Sequence, residues 1–120
     1  MKNKIYASLL LATLCITLAL IPTGCSKDNL EDNLNCNDFG TLSYKSQIAP
    51  LLMSRCGTSG CHISGFASGD LTNHAGVLAK VNNGSMRKRT LDGSMPPNAT
   101  ISDDEIKMIV CWIDNGALNN

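Results

Sequence analysis

The clearest pattern of apolar and polar positions lies in the last part of the chain. Ser102 is followed three residues later by Glu105, which is the capping-box pattern of a helix N-terminus. Four apolar side chains then repeat at helical spacing: Ile106, Ile109, Val110 and Ile113. Gly116 ends the pattern, as glycine commonly does just after a helix. The pattern predicts an amphipathic helix that closes the fold.

Two further helices are predicted upstream. The first runs from Ser43 to Arg55, where Pro50 is expected either to kink it or to mark a later start. Its apolar side chains share one face: Ile48, Leu51 and Leu52. The second is a short helix over residues 73–81, and its inward positions are Val77, Leu78 and Val81. Because no stretch alternates with a period of two residues, the predicted fold class is all-α, with about three helices.

The beginning of the chain has the layout of a secretory signal. Two lysines precede an apolar run over residues 5–21, and the run ends at the sequence PTGC. A small residue followed directly by cysteine resembles the lipobox of bacterial lipoproteins, which implies that Cys25 is lipidated as the first mature residue. Residues 1–24 would then be removed, and Cys15 with them. An ordinary secretory peptide with a chance cysteine is the alternative.

The residues after the signal predict a tether, and the lipid expected on Cys25 predicts where the protein resides. Residues 25–39 are polar and rich in Asp and Asn, so they are interpreted as a tether to a domain over residues 40–118, with a tail at 119–120. A lipid on Cys25 places the chain in the cell envelope, anchored to the outer membrane and facing the periplasm or the cell surface. This setting is one in which disulfides form.

Net charge and composition argue against nucleic-acid binding and in favour of a disulfide, a metal or a cofactor. The formal net charge is zero, and the loss of Lys2 and Lys4 with the signal leaves eight basic and ten acidic side chains, a charge of −2. Nucleic-acid binding is not expected, because proteins that bind nucleic acid usually show a basic excess. Aromatic residues make up only 4% of a chain that holds six cysteines. Small domains with so little core usually need a disulfide, a metal or a cofactor.

The central chemical motif is Cys56-Gly57-Thr58-Ser59-Gly60-Cys61-His62. Two cysteines followed directly by histidine suit a c-type haem, because each thiol can add to one vinyl group while His62 binds the iron. The common motif has two residues between the cysteines and this one has four. The extra residues must bulge outward, and Gly57 and Gly60 are candidates for the unusual φ angles of such a loop.

Two simpler interpretations of the same cysteines exist. Cys56 and Cys61 could form a disulfide, or they could be half of a zinc site. Zinc requires four ligands, and the sequence offers no second compact pair. We therefore expect one haem c per chain as the cofactor.

A sixth iron ligand is expected from the segment Gly93-Ser94-Met95-Pro96-Pro97-Asn98. Two prolines fix φ and remove two backbone donors, so they can hold the Met95 thioether in a stiff, extended loop. Methionine outside such a context is usually core filler. Met86 and His74 are the rival ligands, and His74 would give bis-histidine ligation.

Several segments together resemble the single-haem class I cytochromes c. They are the haem motif at 56–62, the Met-Pro-Pro loop at 93–97, the opening segment 44–52 and the closing stretch 102–117. The resemblance covers about residues 40–118. It points to the bacterial lipoprotein subgroup with a C-x-x-x-x-C-H motif and a Met-Pro-Pro ligand loop.

The resemblance implies a small class I cytochrome c fold around one covalent haem. It implies that His62 and Met95 are the axial iron ligands and that the activity is electron transfer. The expected partners are a donor and an acceptor redox protein, and the chain is expected to be a monomer. If both axial positions are filled, no catalysis at the iron is expected. Two alternatives stay open: a haem enzyme or gas sensor with an open distal site, and a haem-free structural lipoprotein with a Cys56–Cys61 disulfide.

Cys36 and Cys111 are the two cysteines without a role so far. In the closing helix, Cys111 falls on the polar side, away from the predicted main core. An exposed lone thiol rarely stays free in an oxidising compartment. We therefore expect the segment around Cys36 to cross the outside of this helix and form a disulfide with Cys111. Pairing of Cys36 with another chain is the alternative.

Arg87, Lys88 and Arg89 form the one basic cluster of the sequence. They could bind the propionates of a haem or an acidic redox partner. A solvated loop is an equally good interpretation.

Overall fold

The computed structural model describes residues 30–97 and 101–120. These residues form a 3-10 turn at Cys36–Phe39, a π-helical turn at Tyr44–Ile48 and four α-helices, which are α1 (Ala49–Arg55), α2 (His74–Asn82), α3 (Ser85–Leu91) and α4 (Asp103–Asp114). No β-strand occurs in the described ranges. The prediction of an all-α fold is confirmed.

Helix α4 forms as its sequence predicts. The hydroxyl of Ser102 accepts a hydrogen bond from Glu105 N, and the Glu105 carboxylate accepts one from Ser102 N, so the capping box is complete. The apolar face packs into the core, where Ile109, Val110 and Trp112 are almost fully buried. Gly116 follows the helix with a φ of 96°, a conformation that favours glycine.

The opening helix begins with an irregular turn. Ser43 caps the π-helical turn by accepting a hydrogen bond from Ser46 N, and the chain continues directly into α1. Pro50 lies in the first turn of α1, where its missing N–H leaves no hydrogen bond unmade. It therefore marks the start of the regular α-helix, which is one of the two outcomes predicted for it. Ile48 and Leu52 are fully buried.

Helix α2 lies where the sequence predicted a short helix, but α3 was missed. Seven residues of sequence SMRKRTL carry only two buried side chains, Met86 and Thr90, which is too little for a recognisable apolar period. Gly84, the N-cap residue just before this helix, has a φ of 74°. The basic cluster Arg87-Lys88-Arg89 therefore lies on a helix, which corrects its interpretation as a solvated loop.

The polar segment before residue 40 is more closely attached to the domain than predicted. Leu34, Cys36 and Phe39 pack against the core, so the predicted tether 25–39 becomes part of the domain over its last residues. The Cys36–Cys111 disulfide is present, with the two Cα atoms 5.3 Å apart. Because the 3-10 turn covers this side of α4, Cys111 is fully buried, and the prediction that it points away from the core is wrong.

The predicted tail at 119–120 is also bound to the domain. The side-chain oxygen of Asn120 accepts a hydrogen bond from Tyr44 N, and its main-chain oxygen accepts one from Lys45 N. Its amide group donates to the Leu42 carbonyl. These bonds form because the first amides of a helical turn have no partner within the turn itself.

The signal peptide 1–24, the lipidation site Cys25 and the tether up to residue 29 lie outside the described residues. Within the ranges that the structure does describe, no helix has the length and apolar character needed to cross a membrane.

Candidate functional site

A cavity of about 460 Å³ brings the predicted site residues together. Its wall includes Cys56, Cys61, His62 and Met95, which come from two segments more than thirty residues apart in sequence. The volume lies within the range of about 300–1,000 Å³ that is typical of ligand and cofactor sites. Apolar side chains complete much of the wall: Phe66, Leu71, Ile101, Ile109, Pro96 and Pro97.

The loop over residues 56–62 follows directly from the end of α1. Cys56 N donates to the Leu52 carbonyl at 2.8 Å, which places the first thiol at the helix C-terminus. Cys61 N donates to the Thr58 carbonyl at 3.0 Å, and His62 N donates to the Cys56 carbonyl at 3.1 Å. The four intervening residues thus fold into a compact turn that returns the chain to its starting point.

The two glycines of this loop have different roles. Gly60 adopts a φ of 83°, which the sequence predicted for a tight loop. Gly57 has an ordinary φ, but a Cβ at this position would stand 3.3 Å from the Cα of Met53. It serves close packing against α1 instead of an unusual backbone angle.

Cys56 and Cys61 both carry free thiols. Burial raises the pKa of Cys56 to about 11, and the nearby Cys61 adds to the increase. Cys56 therefore keeps its proton at neutral pH. The alternative of a Cys56–Cys61 disulfide is not what the structure forms.

Among the described residues, one hydrogen bond holds the His62 imidazole. Its Nδ1 atom lies 3.0 Å from the main-chain oxygen of Gly69. A carbonyl oxygen can only accept, so Nδ1 carries the proton and Nε2 keeps its lone pair for a metal. The His62 carbonyl also accepts from Leu71 N at 3.0 Å, which ties the loop to the segment leading into α2.

The loop that carries Met95 is anchored to α3. Met95 N donates to the Arg89 carbonyl at 3.1 Å. Three residues before Met95, the Asp92 carboxylate accepts a hydrogen bond from Ser94 N at 2.9 Å and another from Lys88 Nζ at 3.1 Å. The bond from Ser94, and then that from Lys88, lower the pKa of Asp92 to about 2. These contacts hold the loop in place before the two prolines that follow Met95.

The two rival ligands occupy different positions. Met86 also lines the cavity, although it is 7% exposed and packs with the core. His74 does not line the cavity; its Nε2 atom lies 2.9 Å from the Ala117 carbonyl oxygen. Its ring packs edge-on against Tyr44, at a centroid distance of 4.6 Å. His74 is therefore a half-buried histidine that packs against Tyr44 and lies outside the cavity wall.

Charged residues that the sequence reasoning did not assign to the site also line the cavity. Arg55, at the end of α1, donates through both Nε and Nη2 to Glu105 Oε1, and so links α1 to the start of α4. The bond from Ser102 N, followed by that from Arg55, lowers the pKa of Glu105. Lys80 reaches the cavity from α2. No local sequence signal marks these residues, because they meet only in the folded chain.

The structure divides the basic cluster of α3. Arg87 forms ion pairs with Asp114 and Glu31, each at 2.8 Å, and Lys88 pairs with Asp92 at 3.1 Å. Arg89 alone of the three lines the cavity.

Comparisons with known protein families, with curated proteins and with solved structures gave no significant match for this chain. Over residues 30–97 and 101–120, no group of three or more His, Cys, Asp or Glu side chains is arranged to hold a metal ion.

Proposed function

We propose that this chain is an electron-transfer protein that carries one electron at a time through a covalently bound haem c outside the cytoplasm. The observation that supports this most is the convergence of Cys56, Cys61, His62 and Met95 on one cavity. Two thiols, an imidazole and a thioether form a donor set that suits covalent haem with His/Met ligation. The function so proposed is that of a single-haem class I cytochrome c.

The residues of the cavity fit such a group in three respects. The two thiols are unpaired and lie on one compact loop, so both are available for thioether bonds. The His62 Nδ1 proton is engaged by Gly69, which leaves Nε2 as the ligand atom. The apolar wall, with Leu71 and Ile109 among its residues, suits the faces of a large flat ring.

Each side chain then has a definite role. Cys56 and Cys61 would hold the haem through two thioether bonds, each formed by addition of S–H across one vinyl C=C bond, with the hydrogen going to the adjacent carbon. The iron would be held by His62 through Nε2 and by Met95 through Sδ. Bound haem supplies a one-electron couple, whose potential His/Met ligation tends to raise. Because His62 and Met95 would both bind the iron and leave no open position for a substrate, we do not propose an enzyme.

The proposed setting follows from the N-terminal sequence. A lipid on Cys25 would anchor the chain to the outer membrane of the cell envelope, facing the periplasm or the surface. The partners would be redox proteins that give and take electrons. The chain would act as a monomer.

A pyridine haemochrome assay on protein matured in a host competent for haem attachment tests the proposal. We expect one covalent haem per chain in the wild type and none in the Cys56→Ala/Cys61→Ala variant. The matched control is Cys36→Ala/Cys111→Ala, which also removes two cysteines but should keep its haem. Wild-type protein without covalent haem would end the proposal.

A further inference from the structure

Two cations of the cavity wall have no acidic partner in the described part of the chain. Arg55 lines the cavity but is bound to Glu105, whereas Lys80 and Arg89 line it and form no ion pair among those residues. Arg87 and Lys88, the neighbours of Arg89 in sequence, are both paired elsewhere. The cavity therefore holds two cationic groups that are available to an anionic ligand.

The position of Lys80 depends on the absence of a side chain at Gly69. A Cβ on Gly69 would stand 2.5 Å from Lys80 Cε and 3.1 Å from Lys80 Nζ. The lysine therefore rests on the same residue whose carbonyl accepts the His62 Nδ1 proton. This contact places one cation next to the segment that orients the predicted iron ligand.

The main chain of Arg89 contacts the loop that carries Met95, the other predicted iron ligand. Its carbonyl accepts the hydrogen bond from Met95 N, so its backbone is fixed relative to the Met-Pro-Pro loop. Lys80 and Arg89 thus come from different helices, α2 and α3. Lys80 contacts Gly69, which is hydrogen-bonded to His62, and Arg89 is hydrogen-bonded through its carbonyl to Met95.

We propose that Lys80 and Arg89 form a carboxylate-binding subsite that holds the two propionate groups of the haem. This inference rests on the proposed function. Haem carries its two vinyl groups on one edge and its two propionates on the opposite edge. The thiols of Cys56 and Cys61 would hold the vinyl edge at the loop after α1, so the carboxylates at the other edge would need partners from other elements.

The chemistry of the two side chains suits this role. A carboxylate in a partly apolar cavity is costly unless it is paired, and a charge-assisted hydrogen bond is stronger than one between neutral groups. Arg89 presents a planar fork that can bind a carboxylate with two hydrogen bonds, whereas Lys80 provides one compact charge. The pair would select one orientation of the ring in the cavity.

Resonance Raman spectroscopy of the matured holoprotein tests the subsite, because the propionate bending bands respond to hydrogen bonding of these carboxylates. We expect the bands to shift in Lys80→Gln and in Arg89→Gln. The control is Lys45→Gln, which removes the same charge from an exposed position outside the cavity and should leave the bands unchanged. Arg89→Lys, which keeps the charge, should shift the bands less than Arg89→Gln.

The reduction potential gives a second measurement on the same proteins. Loss of a cation beside the haem favours the ferric state, so the potential should fall in Lys80→Gln and Arg89→Gln relative to Lys45→Gln. Unchanged bands and potentials in both cavity variants would overturn the subsite while leaving the haem assignment intact, and would make docking of an acidic partner the better role for these cations. Absence of haem from the wild type would overturn both proposals.

Discussion

The Nδ1 atom of His62 donates a hydrogen bond to the main-chain oxygen of Gly69 at 3.0 Å. This bond fixes both the tautomer and the direction of the imidazole, and it ties the loop after α1 to the segment that precedes α2. Gly69 adopts a φ of 102°, in the region that disfavours side chains. The orientation of the predicted iron ligand therefore depends on a glycine.

Substitution of this glycine should disturb both stability and the haem. Gly69→Ala forces a side chain onto a positive φ and toward Lys80, and we expect the free energy of unfolding to fall by about 1–3 kcal/mol. Gly65→Ala is the matched control, since Gly65 has a φ of 81° with open space around a Cβ. Both variants should lose stability in urea unfolding, but only Gly69→Ala should change the reduction potential. Equal potentials in the two variants would contradict the role given to Gly69.

The sixth ligand can be distinguished from its rival by two volume-conserving substitutions. Met95→Leu should abolish the near-infrared charge-transfer band of ferric His/Met haem and lower the reduction potential. Met86→Leu should keep the band and cost less than about 1.5 kcal/mol, because the two side chains fill similar space. Loss of the band in Met86→Leu alone would make Met86 the ligand. A wild type without the band would favour a haem enzyme or sensor with an open site.

The disulfide is expected to contribute strongly to stability. Cys36 and Cys111 are 75 residues apart in sequence, and loss of a bridge over so long a loop costs about 2–5 kcal/mol. We expect this loss in Cys36→Ala/Cys111→Ala, measured by denaturant unfolding of the holoprotein. Wild type treated with a thiol reductant should fall to the same value, and the variant in the same reductant corrects for any effect of haem reduction. If the free energy of unfolding fell by less than about 1 kcal/mol, packing of the 3-10 turn against α4 would stabilise this region without the disulfide, which would contradict the prediction.

The hydrogen bonds that the Glu105 carboxylate accepts from Ser102 N and from Arg55 should make stability depend on pH. The pKa of Glu105 is lowered from its ordinary value of 4.5, so its contribution is present above that pH and is lost as the pH falls through the folded-state pKa. Glu105→Gln should therefore cost about 0.5–1 kcal/mol more than Asp104→Asn at pH 7. Asp104 is an exposed carboxylate in the same helical turn. If the stability difference between the two variants stayed the same well below pH 4, it would contradict a stabilising role for the ionised Glu105 carboxylate.

Helix α4 and the grouping of Cys56, Cys61 and His62 on one loop were predictable because their signals are local. The capping box at Ser102, the apolar period and the final glycine all lie within fifteen residues, and the Cys-Cys-His spacing lies within seven. The pairing of Cys36 with Cys111 was also predictable, but by elimination among six cysteines. The burial of Cys111 was not, because it depends on the polar segment that folds over α4.

The remaining parts of the site arise only from tertiary contacts. Helix α3 has two buried side chains and a basic surface, so its sequence resembles a loop. Lys80 and Arg55 reach the cavity from α2 and α1, and Gly69 contacts His62 through a backbone atom. Every residue type has a main-chain carbonyl, so the sequence cannot indicate which one accepts the bond from His62. A lysine that lines a cavity likewise has the same sequence signal as one on the surface.

A spectroelectrochemical titration of the matured wild-type protein tests whether the chain carries one electron through a covalent haem. We expect the absorption bands of a low-spin haem c to convert reversibly between ferric and ferrous forms in a single one-electron transition, with no change on exposure of the ferrous protein to a diatomic ligand while Met95 is bound. A protein without haem bands, or one whose bands do not respond to potential, would contradict the account.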